Sequence, residues 1–425
     1  MTKTLRKGLR RDGQPCRALG QPQCDGYRIA PADTTQERRP RGKALSTAYR
    51  AGKSILSRLR RGASSRTGSA AAAAVLLCMA LTILGACSSP AATPRSQSCA
   101  NTAAIADPEP ARLVADCETM LILKEKLAGT VTLNWSLNRP ISDWEGVTVA
   151  QDRVTELALT DQLEGIIPPE LSQLTNLEWL DLGGNLKGRI PPELGQLSNL
   201  RMLRLDSNQL TGGIPAELGQ LTSLQWLLLM DNQLDGEIPA ELGQLENLMA
   251  LALSGNQLEG HIPGELGQLT NLQTLQLEDN LLEGHIPNEL SQLTNLGNMA
   301  LSGNKLSGAI PLWLSHLTNL QMLRLSDNQL RGAIPAELGQ LTNLDNLALS
   351  NNQLRGAIPA ELGQLANLQI LYLYGNQLKG RIPAELGQLT NLWVLRIDGN
   401  PGLCGPIPSA WQHFFESEDL GACED

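Results

Sequence analysis

The chain has 425 residues, 42% of them apolar, but only two Phe and four Tyr. That length could hold two ordinary domains, yet the poverty in aromatics excludes an ordinary globular core and requires one built from Leu. The formal charge of −9 is unevenly shared: residues 1–86 hold 17 of the 34 Lys and Arg but only Asp12, Asp25, Asp33 and Glu37 of the 43 acids, so residues 87–425 form a strongly acidic body.

In chain order, the first feature is a basic stretch with an apolar run behind it. Ser57-Arg-Leu-Arg-Arg61 and Arg66 precede 17 residues, Ala70 to Ala86, that end in small side chains. A basic flank, a short apolar segment and a small-residue end describe a secretory signal, and residues 1–86 are read as a basic pre-region plus that signal. The run is marginal for a membrane span, and its basic flank stays on the cytoplasmic side, which puts the body outside. A nucleic-acid role could rest only on this stretch, which is discarded with the signal, so no nucleic-acid partner is expected. Residues 1–50 exceed what such a signal needs and receive no function.

Leu84-Gly85-Ala86-Cys87 resembles the bacterial lipobox. The resemblance implies cleavage before Cys87, lipidation of Cys87 and a membrane anchor, with an uncleaved anchor as the alternative. Ser88 is compatible, on the same resemblance, with outer-membrane sorting in a Gram-negative host. Residues 87–98, rich in Pro, Ser and Ala, then form a flexible tether.

Cys16, Cys24 and Cys78 lie in the leader, which leaves Cys99, Cys117, Cys404 and Cys423, one pair near each end of the body. Two disulfides are expected, Cys99 with Cys117 and Cys404 with Cys423, in an oxidising compartment. The rival arrangement, a four-thiolate metal site, would need both ends of an extended array to meet.

Residues 151–408 repeat with a period of 24, new units beginning at Leu174, Leu197, Leu221, Leu245 and so on to Leu389, with a degenerate first unit near Gln151 and a one-residue shortening after Leu174. Each unit reads Leu-x-x-Leu-x-Leu-x-x-Asn, as in Leu224-Gln-Trp-Leu-Leu-Leu-Met-Asp-Asn232, a pattern in which one short strand per unit stacks on the next and buries the leucines. Leu227 and Leu229 point inward, so Trp226, Leu228 and Met230 point out. Asn185, Asn208, Asn232 and their equivalents to Asn400 close the strands, and a second column runs from Asn176 to Asn391; both suit backbone groups that a buried turn must satisfy. The return segment, as in Leu210-Thr-Gly-Gly-Ile-Pro-Ala-Glu-Leu-Gly219, supplies Gly for tight turning and Pro for an extended-to-helical corner.

This return segment resembles the plant-type class of leucine-rich repeats, found in receptor-kinase ectodomains, inhibitor proteins and bacterial surface proteins. The resemblance implies an α/β repeat solenoid of eleven repeats, a horseshoe or superhelix with a parallel concave sheet and a convex side of 3-10 and extended segments, capped at both ends. Asp116-Cys-Glu-Thr-Met-Leu, Leu133-Asn-Trp-Ser136 and Trp144-Glu-Gly-Val-Thr-Val149 look like that family's N-terminal cap, placed at 99–150, although Val149 stands where plant members have a Cys. Asn400-Pro-Gly-Leu-Cys-Gly405 looks like the end of such an array, with a C-terminal cap at 409–425. Only Glu424 and Asp425 follow Cys423, so no second membrane segment or kinase domain is expected.

The repeats serve as their own comparison. The return columns are nearly constant and the outward strand columns vary, which points to the concave face as the place for a ligand. Two patches stand out there: Trp179, Met202, Arg204, Trp226, Leu228 and Met230, and then Ile370, Tyr372, Tyr374 and Arg396. Exposed aromatic, Met and Arg groups on a rigid sheet are what protein interfaces use as anchors. With strands about 4.8 Å apart the patches are roughly 30–40 Å apart, separated by plain Ala, Ser and Asn positions. A protein or peptide ligand is favoured, a glycan stacked on Trp and Tyr is the alternative, and a structural or adhesive surface protein without one defined ligand is the rival class. Chemistry finds no footing: His261, His285, His316 and His413 lie near no catalytic partner, so no enzyme and no cofactor are expected. His261, His285 and Glu237 occupy equivalent return positions and could form a metal ladder, although solvated side chains are the plainer reading and no metal is expected.

Overall fold

A computed structural model describes Cys99, residues 111–129 and 132–414, Leu420 and Cys423. The chain divides into units 1–87 and 88–425, and all described residues belong to the second. The apolar run 70–86 and Cys87 lie outside them. No helix among the described residues is long and apolar enough to cross a membrane.

Helix α1, Ala111–Leu127, buries Leu113, Cys117, Met120, Leu123 and Leu127 on one face, the three- and four-residue spacing of an amphipathic helix. Three ties fasten it. Cys99 bonds to Cys117, the buried Asp116 carboxylate accepts from Arg153 Nε at 2.9 Å and from the Val154 N–H at 2.8 Å, and Lys126 meets Glu170 at 2.7 Å. The strands β1, Val147–Ala150, and β2, Arg153–Leu163, form an antiparallel hairpin. Its two-residue loop, Gln151 and Asp152, has φ of 52° and 61°, the double positive φ that a tight hairpin demands.

From β2 onward every coil adds one parallel strand, and with β1 the result is a 12-stranded sheet. Leu180, Leu203, Leu227 and Leu251 lie opposite one another in register, as do their equivalents to Leu395. Along the array the inward leucines are at or close to complete burial. Behind each strand a Pro in extended conformation, such as Pro239, opens a five-residue 3-10 turn, Ala240–Gln244 in that coil. The Gly inside these turns has a steric cause: a Cβ at Gly219 would stand 2.4 Å from the Glu241 carbonyl oxygen of the next coil.

One element was not expected. The segments after the Asn column pair with one another, forming a four-stranded sheet from Lys187–Gly188 to Gln257–Glu259 and a six-stranded sheet from Glu283–Gly284 to Gly402–Cys404. The sequence pattern foresees extended backbone there but not its lateral pairing, because the alternation is only two to five residues long. At the far end Trp411 is buried, and Cys404 is bonded to Cys423.

The Asn column holds the coils together. Asn304 Oδ1 accepts the Leu282 N–H at 3.0 Å, and its Nδ2 donates to Leu277 O at 2.9 Å and Leu301 O at 3.1 Å. The same three bonds recur from Asn208 to Asn400. Asn185 departs from this expectation: it is exposed, because the shortened unit places Leu186 directly after it. Asn304→Ala leaves the Leu282 N–H buried without its partner and takes one of two donors from each of the Leu277 and Leu301 carbonyls, which keep Asn280 and Asn328, and is expected to cost about 2 kcal/mol. Urea unfolding of Asn304→Ala beside Asn185→Ala, expected within about 0.5 kcal/mol of the parent, checks the distinction.

Candidate binding surface

Outward side chains of the long sheet are placed by strand alternation, and the fixed register stacks them in rows across coils. Both predicted patches sit on this sheet face, but they differ in kind.

At the N-terminal end the expected exposure fails for three of six residues. Trp179 is 8% exposed, Met202 2% and Leu228 5%. Trp179 and Trp226 flank Met202 in register, two strand spacings apart, yet their rings approach to 5.6 Å between centroids. Strands two apart are about 9.6 Å distant, so the indoles lean together over Met202 and seal it. Much of this patch is therefore consumed in its own packing, leaving Trp226, Arg204 and Met230 half-buried. Arg204 is locked as well: Nε reaches Asp206 at 2.5 Å and Nη1 reaches Asp181 at 3.3 Å, both carboxylates being buried. The Asp206 hydrogen bond, and after it the charge of Asp181, holds the guanidinium well above its ordinary pKa.

At the C-terminal end Ile370, Tyr372, Tyr374 and Arg396 are all half-buried, the state of a braced but accessible anchor. The Tyr372 and Tyr374 rings meet edge to face at 6.0 Å, and the Arg396 guanidinium lies 4.9 Å from the Tyr374 centroid. Asp398 grips that guanidinium with two oxygens, at 2.8 and 3.0 Å. These contacts fix the side chains before any ligand arrives, which lowers the entropy lost on binding.

Two residues were missed. Trp393 is 57% exposed and donates from Nε1 to Gln369 at 3.4 Å, beside Ile370 and Val394. Its column otherwise holds Glu178, Arg201, Gln225, Met249 and similar groups, so comparing one column further would have found it. Arg324, 3.8 Å from Glu278, puts charge in the supposedly plain middle. It shares the second outward column with Arg204 and Arg396. The His261, His285 and Glu237 ladder does not close. Each side chain is laid over a Gly of the following coil, Gly284, Gly308 and Gly260 in turn, and among the described residues no three His, Cys, Asp or Glu are placed to share a metal ion.

Trp179→Ala removes a buried ring and is expected to cost about 3 kcal/mol, whereas Tyr372→Ala is expected to stay within about 1 kcal/mol; thermal unfolding compares them. The Arg396 hydrogen bond lowers the Asp398 carboxyl below its ordinary value. A lowered carboxylate stabilises the fold above its unfolded pKa, about 3.9, and that contribution is lost as pH falls through the lowered value. Near-UV circular dichroism of the Tyr pair is therefore expected to hold down to about pH 4 and change below it, a step that Asp398→Asn abolishes.

The leucine rich repeat family profile matches residues 175–234 and 294–354, and a single-repeat profile of the same name matches 247–269, 271–293 and 367–389. No curated protein matches the chain. Among solved structures it is similar to the Arabidopsis receptor kinase HAESA ectodomain in complex with an IDA peptide hormone, with 32% identity, 70% of this chain and 51% of that one covered, and a TM-score of 0.61. It is similar to PEPR1-AtPEP1, with 33% identity, coverages of 70% and 47%, and a TM-score of 0.63. It is also similar to a plant ice-binding protein, with 30% identity, coverages of 69% and 96%, and a TM-score of 0.55. The chain spans about half the length of these two receptor chains. Its repeats, its stacked parallel strands with 3-10 turns and its cover of nearly the whole ice-binding protein place the chain in the leucine-rich-repeat family.

Proposed function

We infer that the chain is an exported recognition module that takes a peptide or protein segment along its sheet face. The observation that carries this is the braced, half-exposed cluster of Tyr372, Tyr374 and Arg396, continued by the exposed indole of Trp393. Trp226, Arg204 and Met230 supply the second contact. The receptor ectodomains to which the chain is similar carry peptide hormones in their complexes, and this supports a peptide over a glycan. Two disulfides support export, and Cys87 is the lipid attachment point that holds the module to a membrane, more than one acyl chain being needed for a stable anchor.

Affinity capture with the full chain tests the reading. Tyr374→Ala is expected to weaken capture of the enriched partner about tenfold, as loss of an interface anchor does, and Asn343→Ala on the flank is expected to leave it unchanged. Capture indifferent to Tyr374 would sink the site, and retention of a glycan instead of a peptide would move the reading to the adhesive class. Globomycin, or Cys87→Ser, is expected to leave the precursor unprocessed; normal processing of both would remove the lipid anchor.

One observation favours a second reading. Thr175, Thr222, Thr270, Thr294, Thr318, Thr342 and Thr390 form an exposed column along one flank. Amides of the second Asn column pin its backbone, as when Asn319 Nδ2 donates to Thr294 O at 2.8 Å. Glu246 and Ala366 interrupt the column, but Thr270, Thr294, Thr318 and Thr342 are consecutive; such a hydroxyl row on a rigid flank suits an ordered solid, and the ice-binding protein is similar to this chain over 96% of its own length. Thermal hysteresis lost in Thr294→Lys would support it, and absence of hysteresis in the parent would end it.

A further inference from the structure

The turn face, opposite the long sheet, carries its own irregularity. Five coils repeat Pro-Ala-Glu-Leu-Gly-Gln unchanged, with Ala216, Ala240, Ala336, Ala360 and Ala384 at its second place. Three consecutive coils between them break it: Gly264 in the first, Asn288 and Ser291 in the second, and Leu312, Trp313, Ser315 and His316 in the third. A recess of about 520 Å³ opens at this place, lined by His261, Glu265, Gln268, His285, Glu289 and Gln292 around Gly264.

The six lining side chains are exposed, and three of them lie close against glycines. A methyl at 264, which those five coils possess, would stand 3.2 Å from the Glu289 carboxyl carbon; without it the carboxylate turns into the gap. The imidazoles of His261 and His285 are laid against Gly284 and Gly308 of the following coils, which restrains both rings. Glu259 and Glu283 stand exposed on the adjoining outer strands, with the exposed Lys305 opposite Glu283 in register, and the Glu column turns basic only in later coils, at Arg331, Arg355 and Lys379. Beside it Trp313 donates from Nε1 to Asn288 Oδ1 at 3.1 Å, and Leu312 is 61% exposed, giving an apolar margin.

We propose that this recess binds the guanidinium of an arginine presented by a basic peptide or protein, independently of the sheet face. A guanidinium is planar, always charged and carries five donors. Two carboxylates and two glutamine amides offer acceptors spread around it, and charge-assisted bonds of this kind are the stronger class. The ring faces of the imidazoles suit a flat cation, and the aliphatic stem of the arginine reaches the margin of Leu312. The same groups are too dispersed for a metal ion, since no three of them converge.

The test uses the full chain and two small probes, N-acetyl-arginine amide and its uncharged counterpart N-acetyl-citrulline amide. Histidine ring-proton NMR signals, assigned with His261→Ala and His285→Ala, are expected to shift with the arginine probe and not with citrulline. Gly264→Ala, which installs a methyl native to five other coils, is expected to keep the parent's thermal midpoint and weaken the arginine probe about tenfold. The double variant Glu265→Gln, Glu289→Gln is expected to weaken it at least as much, and Tyr374→Ala on the sheet face to leave it unchanged. Equal response to citrulline, indifference to Gly264→Ala, or a response confined to zinc chloride would overturn the proposal.

Discussion

The buried amide column from Asn208 to Asn400 is the interaction on which the rest depends. Stacked leucines supply burial, but burial is non-directional and would tolerate neighbouring coils sliding on one another. Each Asn side chain closes its own strand and reaches one coil back, accepting from one backbone N–H and donating to two carbonyls. Each carbonyl accepts from the amide of its own coil and from that of the next, and each N–H has one amide oxygen, so any other register breaks the bonds that link coil to coil at appreciable cost. The amides therefore convert a stack of apolar coils into a ruler.

A ruler of this kind separates scaffold from function. Because backbone groups and inward leucines do the holding, outward positions are free to carry whatever a partner requires. The two ends of the sheet face use that freedom in opposite ways. Around Met202 the large side chains turn on one another and on buried aspartates, which stabilises the coils and spends most of the apolar area. Around Tyr374 the contacts are edge to face and ion-paired, so they orient groups while leaving them open. A surface that is fixed yet still half wet is the better anchor, because little remains to be ordered when a partner arrives.

The period, the strand and the two cysteine pairs were legible because each is a regular signal repeated many times or confined by topology. What escaped reading depends on lateral lean and on single-residue offsets. Alternation says that Trp179 and Trp226 point outward, but not that they tilt across a whole coil to meet. The Asn185 side chain falls out of the ladder because the unit lost one residue between it and Leu186, a phase error that composition does not reveal. Trp393 went unnoticed because its column borders the sheet, outside the strict in-and-out alternation. The pairing of the outer segments is a property of neighbouring coils, invisible in any one of them.

The 24-residue period also explains why two faces can differ so cleanly. Substitutions in one column recur at a fixed azimuth, so a cluster of departures in consecutive units becomes a compact place on one face. On the turn face Glu carboxyls and close Gly contacts leave little tolerance: a Cβ at Gly219 or Gly243 would strike the Glu carbonyl of the next coil. Of the three irregular coils the first keeps this contact at Gly267, and only the other two replace the Gly, with Ser291 and Ser315; the change is local because each coil touches only its neighbours. The sheet face meets no such penalty, since its side chains contact one another across the rows without closing the coil. Departures on the turn face therefore carry more weight per residue than variation on the sheet face. That asymmetry makes the recess around Gly264 more than a gap in the pattern.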